Sequence, residues 1–314
     1  MKRTTFIEHQ KLRIDFPLFF PSISSVKTNF NPIDYLKLIQ ASKCPNFLIS
    51  AYDIFNQKES VKMEMIDILN NMKNDGRKIL LDSGNYESYW HRDSNWSIDE
   101  YNEILKNEFC SFCFSFDYQN IEKVNKDEII KITIENTLIN QSFSKGSIAP
   151  IIHAKCEELE YVCFEVAKKL EPKFIAIPER LLGRGIITRV NKLRQIRTSL
   201  NELGYYLPIH LLGTGNPFSL MLFSYAGADT FDGLEWCQTC IDENTFHVYH
   251  FQLRELFDNE YKQNEIENYE ITTLYKNIKA YQKINNLLQS SFNNNDMIGL
   301  LQKYFSEELI KKIQ

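Results

Sequence analysis

Short runs of β-branched and aromatic residues alternate with longer segments of helical periodicity along most of this chain. The pattern is typical of βα units arranged around a parallel sheet. The runs predicted as strands are Leu18 to Ile23, Phe47 to Tyr52, Lys78 to Asp82, Phe112 to Asp117, Ile148 to His153, Phe174 to Pro178, Leu207 to Leu212, and Asp229 to Leu234. The amphipathic segments predicted as helices are Ser60 to Asn74, Ile98 to Glu108, Lys126 to Gln141, Glu157 to Leu170, Arg189 to Leu203 and Phe218 to Ala226. Eight strands with interleaved helices predict an α/β fold, a (β/α)8 TIM barrel.

The composition changes after Phe251, where glycine becomes rare and Asn, Lys, Glu, Tyr and Leu dominate. We therefore expect a barrel over residues 1–252 and a C-terminal helical extension over residues 253–314. The two predicted helices and the polar break between them are Ile271 to Leu288, Met297 to Ile313, and Ser290 to Asn295. Lysines about one helical turn apart could face phosphates, although a solvated helix face explains them equally well: Lys276, Lys279 and Lys283.

The bulk composition limits the class of protein. With 314 residues, 43% hydrophobic and 25% charged, the chain can bury one large core or two modest ones. A formal net charge of -5 argues against a surface that attracts nucleic acid everywhere, so any site for a polyanion must be local.

Cysteine usage and the N-terminus bear on the compartment. Seven scattered cysteines do not form the dense framework of a small secreted domain, so we interpret them as reduced thiols or ligands. Met1 to His9 carries charge but no apolar core of signal-peptide length, and no run of about 18 uncharged apolar residues occurs. We therefore expect a cytoplasmic protein without membrane partners.

Polar residues or glycine follow six of the predicted strands. In a (β/α)8 barrel the loops after the strands carry the chemistry, although turns also favour such residues at these positions. Two of the six, Asp82 and Asp232, are carboxylates that each end a hydrophobic run. One could act as nucleophile and the other as general acid or base, a division that glycosyl chemistry at an oxocarbenium-like centre requires. The six residues are Asp82, Asp117, His153, Glu179, Gly213 and Asp232.

Four segments occur in a fixed order: Leu18 to Lys27, Leu81 to Tyr86, Leu212 to Pro217, and Gly227 to Asp232. In this order they resemble the tRNA-guanine transglycosylase superfamily, whose members are (β/α)8 barrels that exchange a guanine for a 7-deazaguanine base. The resemblance covers about residues 15 to 235.

The resemblance implies roles for individual residues. Asp82 takes the place of the general acid/base and opens Asp-Ser-Gly-Asn-Tyr-Glu, where the superfamily has Asp-Ser-Gly-Gly-Phe-Gln. Asp232 takes the place of the nucleophile, while Asp229 matches an upstream acidic position and is interpreted as structural. Asp117 takes the place of a base-recognition aspartate, whose carboxylate can accept hydrogen bonds from the N1–H and 2-amino edge of guanine. The further residues expected to bind substrate are Ser83, Gly84, Tyr86, His153, Glu179, Arg180 and Gly213.

Some of these positions depart from the superfamily pattern. His153 stands where the superfamily has a glutamine, and it could read a base or be a satisfied barrel-lining imidazole. Glu179 and Arg180 replace glycines of a loop, which alters how closely backbone approaches a base. Arg180 and Arg184 could contact phosphate or the edge of the target, or be exposed loop charges. Candidate stacking platforms, for which core packing is the alternative, are Tyr86, Phe116 and Trp236.

A possible metal site follows the predicted nucleophile. Cys237 and Cys240 are spaced as Cys-x2-Cys, and His247 and His250 follow, which together supply four donors for tetrahedral zinc. The alternative is that the two cysteines are small core residues without a ligand. Strand-like alternation would also point the two histidines to opposite faces, which opposes a shared metal. Zinc and buried thiols are therefore alternatives.

The resemblance implies a transglycosylase that replaces guanine in a nucleic acid through a covalent aspartyl-glycosyl intermediate. DNA is favoured over tRNA, and the incoming base is expected to be a 7-deazaguanine derivative. The partners would be nucleic acid and that base, with a homodimer or an accessory protein as further possibilities. The alternatives are a tRNA-guanine transglycosylase, a nucleoside or N-glycoside hydrolase, and a non-catalytic nucleic-acid-binding subunit.

Overall fold

An antiparallel pair, β1 (Phe6–His9) and β2 (Leu12–Asp15), precedes eight parallel strands in the computed structural model, which describes residues 3–9, 12–258 and 268–314. The parallel strands are β3 (Leu18–Ile23), β4 (Asn46–Ser50), β5 (Lys78–Asp82), β6 (Phe112–Phe114), β7 (Ser147–Ala149), β8 (Ile175–Pro178), β9 (Ile209–Leu212) and β10 (Thr230–Gly233). They are neighbours in the order β7-β6-β5-β4-β3-β10-β9-β8. Ile151, just beyond β7, bridges to Ala176 of β8, which brings the two ends of the sheet together. The predicted (β/α)8 barrel is confirmed.

Helices connect successive strands. They are α1 (Pro32–Ala41), α2 (Ala51–Phe55), α3 (Glu59–Asn74), α4 (Asn85–His91), α5 (Ile98–Leu105), α6 (Lys126–Phe143), α7 (Leu159–Leu170), α8 (Ile186–Leu200) and α9 (Pro217–Ala226). After β10 come α10 (Glu235–Gln238), a hairpin of β11 (Thr239–Ile241) and β12 (Val248–His250), and then α11 (Tyr269–Asn293), α12 (Met297–Tyr304) and α13 (Glu307–Ile313). The strand predicted from Phe47 to Tyr52 extends too far, because α2 begins at Ala51 and continues the apolar run as a helix. The strand predicted to Asp117 likewise ends at Phe114.

Alternate residues of the barrel strands face two different cores. Phe19, Phe47 and Ile79 belong to a core between the sheet and the helices, whereas Phe20, Leu48 and Leu80 belong to one inside the barrel. This separation follows from the two-residue period of a strand. The interior core includes Ile14 and Phe16 at the amino ends of the strands, with Ile7 and Leu12 of the β1–β2 pair packed against it.

The carboxyl ends of the same inward-facing rows are polar. Phe20 is followed two residues later by Ser22, Leu80 by Asp82, and Thr230 by Asp232. The barrel is therefore filled with apolar side chains below and lined with hydroxyl and carboxyl groups at its carboxyl-terminal mouth, where enzymes of this fold place their sites.

A buried ion network holds the opposite end of β10. Asp229, which is 0% exposed, accepts hydrogen bonds from Arg3 Nε (2.9 Å), Arg197 Nη2 (2.7 Å), the Tyr206 hydroxyl (2.6 Å) and the Ile209 backbone N–H (2.9 Å). Two guanidinium groups and two neutral donors thus satisfy both carboxylate oxygens. Asp229 joins the N-terminal segment, α8 and β9, which agrees with a structural role.

The helix α11 packs directly on the barrel. The Tyr281 ring stacks on Phe19 of β3 with ring centroids 4.1 Å apart, and the Asn285 side chain accepts a hydrogen bond of 2.8 Å from the Phe19 backbone N–H. The same helix contacts α9, so it lies where the helix after the eighth strand of a (β/α)8 barrel belongs. α11 continues to Asn293, so the predicted polar break from Ser290 to Asn295 begins too early.

The start of the predicted C-terminal segment is described only in part, since residues 259–267, like residues 1, 2, 10 and 11, lie outside the described ranges. Of the three predicted phosphate-facing lysines, Lys276 pairs with Asp258 at 2.6 Å and Lys279 lies over the Tyr275 ring. Lys283 is exposed. Within the described parts of the chain, no helix has both the length and the apolar character needed to cross a bilayer.

Candidate active site

A cavity of about 360 Å³ opens at the carboxyl ends of the barrel strands. Asp82 from the third barrel strand and Asp232 from the eighth both line it, although they are 150 positions apart in the sequence. Of the predicted site residues, those that line the cavity are Asp82, Ser83, Tyr86, Asp117, His153, Glu179, Arg180, Gly213 and Asp232. Gly84 lies beneath the surface, with positive φ at the start of α4. An added Cβ there would come 2.5 Å from Tyr52 Cβ, so the position requires glycine.

Three donors hold the Asp232 carboxylate. The Ser22 hydroxyl donates to Oδ2 at 2.7 Å, while the Gly213 backbone N–H and His210 Nε2 lie 3.1 Å from Oδ1. The side chain is 11% exposed, at the cavity wall. These contacts come from β3, β9 and the loop after β9, so the carboxylate is oriented by the barrel itself.

His210 was not predicted as a site residue. It lies in the middle of β9, is 0% exposed, and its ring is 4.8 Å from that of Phe114. His210 Nδ1 lies 2.8 Å from the Thr230 hydroxyl. Because the Asp232 carboxylate can only accept, the consistent tautomer carries its proton on Nε2 and accepts from Thr230 at Nδ1. An inward-facing histidine in an apolar strand is the only sequence signal for this role.

The Asp82 carboxyl group has a raised pKa and so favours its protonated form. Burial raises the pKa of its carboxyl well above the usual range, and the nearby carboxylates of Glu87, Asp117 and Asp232 act in the same direction. A hydrogen bond of 3.1 Å from the Gly84 backbone N–H opposes these effects. Asp82 therefore keeps its proton to a higher pH than an ordinary aspartic acid does, which suits a proton donor.

Asp117 has the opposite character. Burial alone would raise the pKa of Asp117, but the bond to His153 and those from Asn85 and Gln119 bring the pKa below its usual range. Oδ1 accepts from Ser83 (2.8 Å) and Asn85 (2.7 Å), and Oδ2 contacts Gln119 (2.9 Å) and His153 (2.7 Å). Asp117 is thus an ionised carboxylate whose two oxygens are each already bonded twice.

Two further carboxyl groups line the cavity without having been predicted. Burial raises the pKa of Glu87 to about 8, and its oxygens accept from the Ser24 and Ser50 hydroxyls. Burial also raises the pKa of Glu235 to about 7, with the Asp232 charge adding to the effect. The Glu235 carboxyl occupies the space that side chains at Gly215 and Gly233 would fill. Glu87 is the last residue of the Asp-Ser-Gly-Asn-Tyr-Glu motif, whereas nothing in the spacing along the sequence marks Glu235.

The predicted loop and stacking residues divide between the site and the core. Glu179 Oε1 pairs with Arg189 at 2.6 Å, whereas the neighbouring Arg180 is exposed at the cavity edge, and Arg184 is exposed outside it.

Of the aromatic residues proposed as stacking platforms, Tyr86 lines the cavity. Trp236 does not: it is 0% exposed and donates to the Ser22 carbonyl, so its prediction as a stacking platform is wrong. Phe116 packs beside Tyr101, also away from the cavity.

The four predicted zinc ligands do not converge. Cys237 and Cys240 are buried, and their thiols donate to the carbonyls of Leu234 and His250. His247 and His250 have exposed side chains. Burial raises the pKa of both thiols, which opposes the thiolate that zinc requires. In residues 3–9, 12–258 and 268–314 no three His, Cys, Asp or Glu side chains form a metal-binding group. These four donors therefore do not fit zinc. All seven cysteines lie in the described residues, and none forms a disulfide.

A comparison with known proteins finds a similar transglycosylase. No protein-family model matches the chain. The tRNA-guanine(15) transglycosylase of Nanoarchaeum equitans (strain Kin4-M) is 28% identical over 287 residues, which cover 83% of this chain and 63% of that relative. This similarity supports membership of the tRNA-guanine transglycosylase superfamily, as the sequence motifs predict. It spans less than two thirds of the length of the relative.

Two departures of the chain from the motifs of the superfamily that it resembles act on one carboxylate. Asn85 replaces the second glycine of Asp-Ser-Gly-Gly, and His153 replaces a glutamine. Both side chains bind Asp117, at 2.7 Å each. These additional donors change the polar surface of the cavity beside Asp117.

Proposed function

We propose that the protein is a base-exchange transglycosylase that replaces guanine in DNA with a 7-deazaguanine derivative. One observation carries the proposal: Asp82 and Asp232 line the same cavity, the first with a raised pKa and the second held by three donors. The cavity, at about 360 Å³, lies within the range of small-molecule sites and accommodates a purine base with its sugar.

In the first half of the reaction, an Asp232 oxygen bonds to C1′ of the target nucleotide as the C1′–N9 bond to guanine breaks. Asp82 donates its proton to the departing base. The transition state carries positive charge on the sugar, which the Asp232 carboxylate stabilises electrostatically. The result is a covalent aspartyl-glycosyl ester, an ionised Asp82 and free guanine.

In the second half, N9 of the incoming base bonds to C1′ and the ester bond to Asp232 breaks. Asp82 takes up the N9 proton and regains its starting state. Because burial and acidic neighbours favour protonation of Asp82, the group is a stronger base in this step than an ordinary carboxylate.

Base recognition would involve Asp117. An ionised carboxylate suits the N1–H and 2-amino edge of guanine, but both of its oxygens already accept two protein hydrogen bonds. A guanine edge must therefore take the place of a donor. We expect the base to displace the Gln119 side chain from Asp117, because Gln119 lies in the irregular loop after β6 and lines the cavity.

Two features favour DNA as the polymer. The resemblance in sequence implies that the departures in the zinc and base-binding segments are those of DNA-modifying members of the superfamily more than of its typical tRNA enzymes. Here Cys237, Cys240, His247 and His250 do not converge, and Asn85 and His153 surround Asp117. The name of the N. equitans relative supports tRNA as the second candidate.

Incubation of the protein with DNA and with tRNA separately, each with labelled guanine or 7-cyano-7-deazaguanine, tests the proposal. We expect label to enter DNA and to be released by DNase. Label that enters tRNA and is released by RNase would reject DNA in favour of the second candidate. Release of free guanine without incorporation would indicate a hydrolase. If neither polymer gained label or released guanine, catalysis at the glycosidic bond would be rejected.

His210 is expected to be a positioning residue for the nucleophile. In His210→Phe, a ring of similar size removes the contact to Asp232, so we expect kcat for exchange to fall on the order of 10²-fold with little change in KM for nucleic acid. His210→Gln, whose amide can donate to Asp232, should restore part of kcat. Equal loss in both variants with a raised KM would indicate a packing role instead.

A further inference from the structure

The helix α4 carries aromatic side chains from the cavity to the protein surface. Tyr86 lines the cavity, and its ring centroid is 6.3 Å from that of Trp90, one helical turn further on. Trp90 is in turn 5.8 Å from Tyr89. Trp90 is 47% exposed and Tyr89 is 69% exposed, the largest exposure among the large apolar side chains described. We call Tyr86, Trp90 and Tyr89 the aromatic row.

A cation lies over the middle ring of the aromatic row. Lys27 Nζ is 3.9 Å from the centroid of the Trp90 ring, and Lys27 also lines the cavity. Its backbone is held by a hydrogen bond of 3.2 Å from Gln238 to the Lys27 carbonyl. Arg180 lines the same cavity from the loop after β8. Positive charge is thus placed at the mouth of a cavity that is acidic inside, on a chain with a net charge of -5.

This arrangement matches a single strand of nucleic acid. A base that enters the barrel must leave its stack, and its neighbours in the strand lose stacking partners as well. Exposed aromatic rings beside a cation offer those neighbours a stacking surface, with the cation near the backbone phosphates. Carboxylates inside and basic groups at the mouth would favour the phosphates staying outside while the sugar and base enter.

We propose that the aromatic row, together with Lys27, binds the unpaired nucleotides that flank the target nucleotide. The inference rests on the proposed function, because it takes the cavity to hold an extruded nucleotide. Neighbouring bases stack on Trp90 and Tyr89, and Lys27 and Arg180 contact phosphates. None of these contacts takes part in bond breaking, so their loss weakens nucleic-acid binding and leaves the chemistry of a bound nucleotide intact.

Tryptophan fluorescence provides a direct test. The chain has three tryptophans; Trp96 is 8% exposed and Trp236 is 0% exposed, so Trp90 is the one that a stacked base can reach. In the full chain carrying Asp232→Asn, without any incoming base, a guanine-containing single-stranded DNA oligonucleotide is expected to quench the emission. Trp90→Ala should remove the quenching and weaken the Kd by about 5- to 150-fold, the range for loss of one stacked base, whereas Trp90→Phe should keep most of the affinity.

Two further variants sharpen the test. Tyr161→Ala is the matched control, since Tyr161 is 45% exposed on α7 and has Lys126 Nζ 4.4 Å from its ring, but it does not line the cavity; its Kd should not change. Lys27→Gln should reduce the slope of log Kd against log salt by about one, as loss of one phosphate contact does.

An unchanged Kd in Trp90→Ala would overturn the proposal. So would Trp90 emission that changes with protein concentration and not with oligonucleotide, because the row would then be a contact between copies.

The outcomes for binding and for chemistry are separable. Quenching in Asp232→Asn together with no base exchange by the wild-type chain would retain the aromatic row as a nucleic-acid surface and reject the transglycosylase reaction. Exchange with normal KM in Trp90→Ala would retain the reaction and reject the aromatic row.

Discussion

Asp232→Asn is expected to abolish base exchange, with a loss on the order of 10⁴- to 10⁶-fold in kcat/KM. The amide has nearly the shape of the carboxylate: its oxygen can still accept from the Gly213 backbone N–H and His210, and its NH2 group can donate to the Ser22 hydroxyl, so the fold should remain. It has no negative charge to stabilise the sugar and forms no ester with C1′. The measurement is incorporation of labelled guanine into the polymer identified above, with circular dichroism as the check on folding.

The matched control is Asp67→Asn, the same chemical change at an exposed position on α3, for which we expect wild-type exchange. Asp232→Ala serves as a second variant, because slow deamidation of an asparagine could restore a trace of activity. If folded Asp232→Ala exchanged guanine at the wild-type rate, Asp232 would not be the nucleophile.

Asp229→Ala, at the residue directly before β10, is expected to lower the free energy of unfolding by about 3–5 kcal/mol. The carboxylate is 0% exposed and pairs with Arg3 at 2.9 Å and Arg197 at 2.7 Å, so its removal leaves two guanidinium groups without their counter-charge. It also leaves the Tyr206 hydroxyl without its acceptor. Chemical denaturation followed by circular dichroism gives the difference.

An exposed ion pair provides the comparison. Asp15 contacts Arg13 at 2.7 Å, with the side chains 44% and 51% exposed, so Asp15→Ala should cost no more than about 1 kcal/mol. Equal costs at Asp15 and Asp229 would contradict the structural role of Asp229. The two aspartates thus have opposite expected phenotypes, loss of activity at Asp232 in β10 and loss of stability at Asp229 directly before that strand.

Much of the barrel could be predicted from local pattern. The two-residue alternation in the strands and the helical periodicity between them depend on neighbours along the chain, so all eight strands were recognisable, with errors at ends such as Tyr52 and Asp117 where an apolar run continues past the strand. The aspartates that end β5 and β10 could be singled out for the same reason, because a carboxylate directly after an apolar run is visible without knowledge of its partners.

The sequence by itself therefore determined the fold class and the position of Asp82 and Asp232 at strand ends. The tertiary structure alone decided which groups surround them: His210 and Ser22 on Asp232, Asn85 and His153 on Asp117, and the burial of Trp236. It also decided that Cys237, Cys240, His247 and His250 stay apart. The physical reason is that periodicity is a property of a segment, whereas contacts between strands depend on register and barrel closure, which arise only when all eight strands pack together.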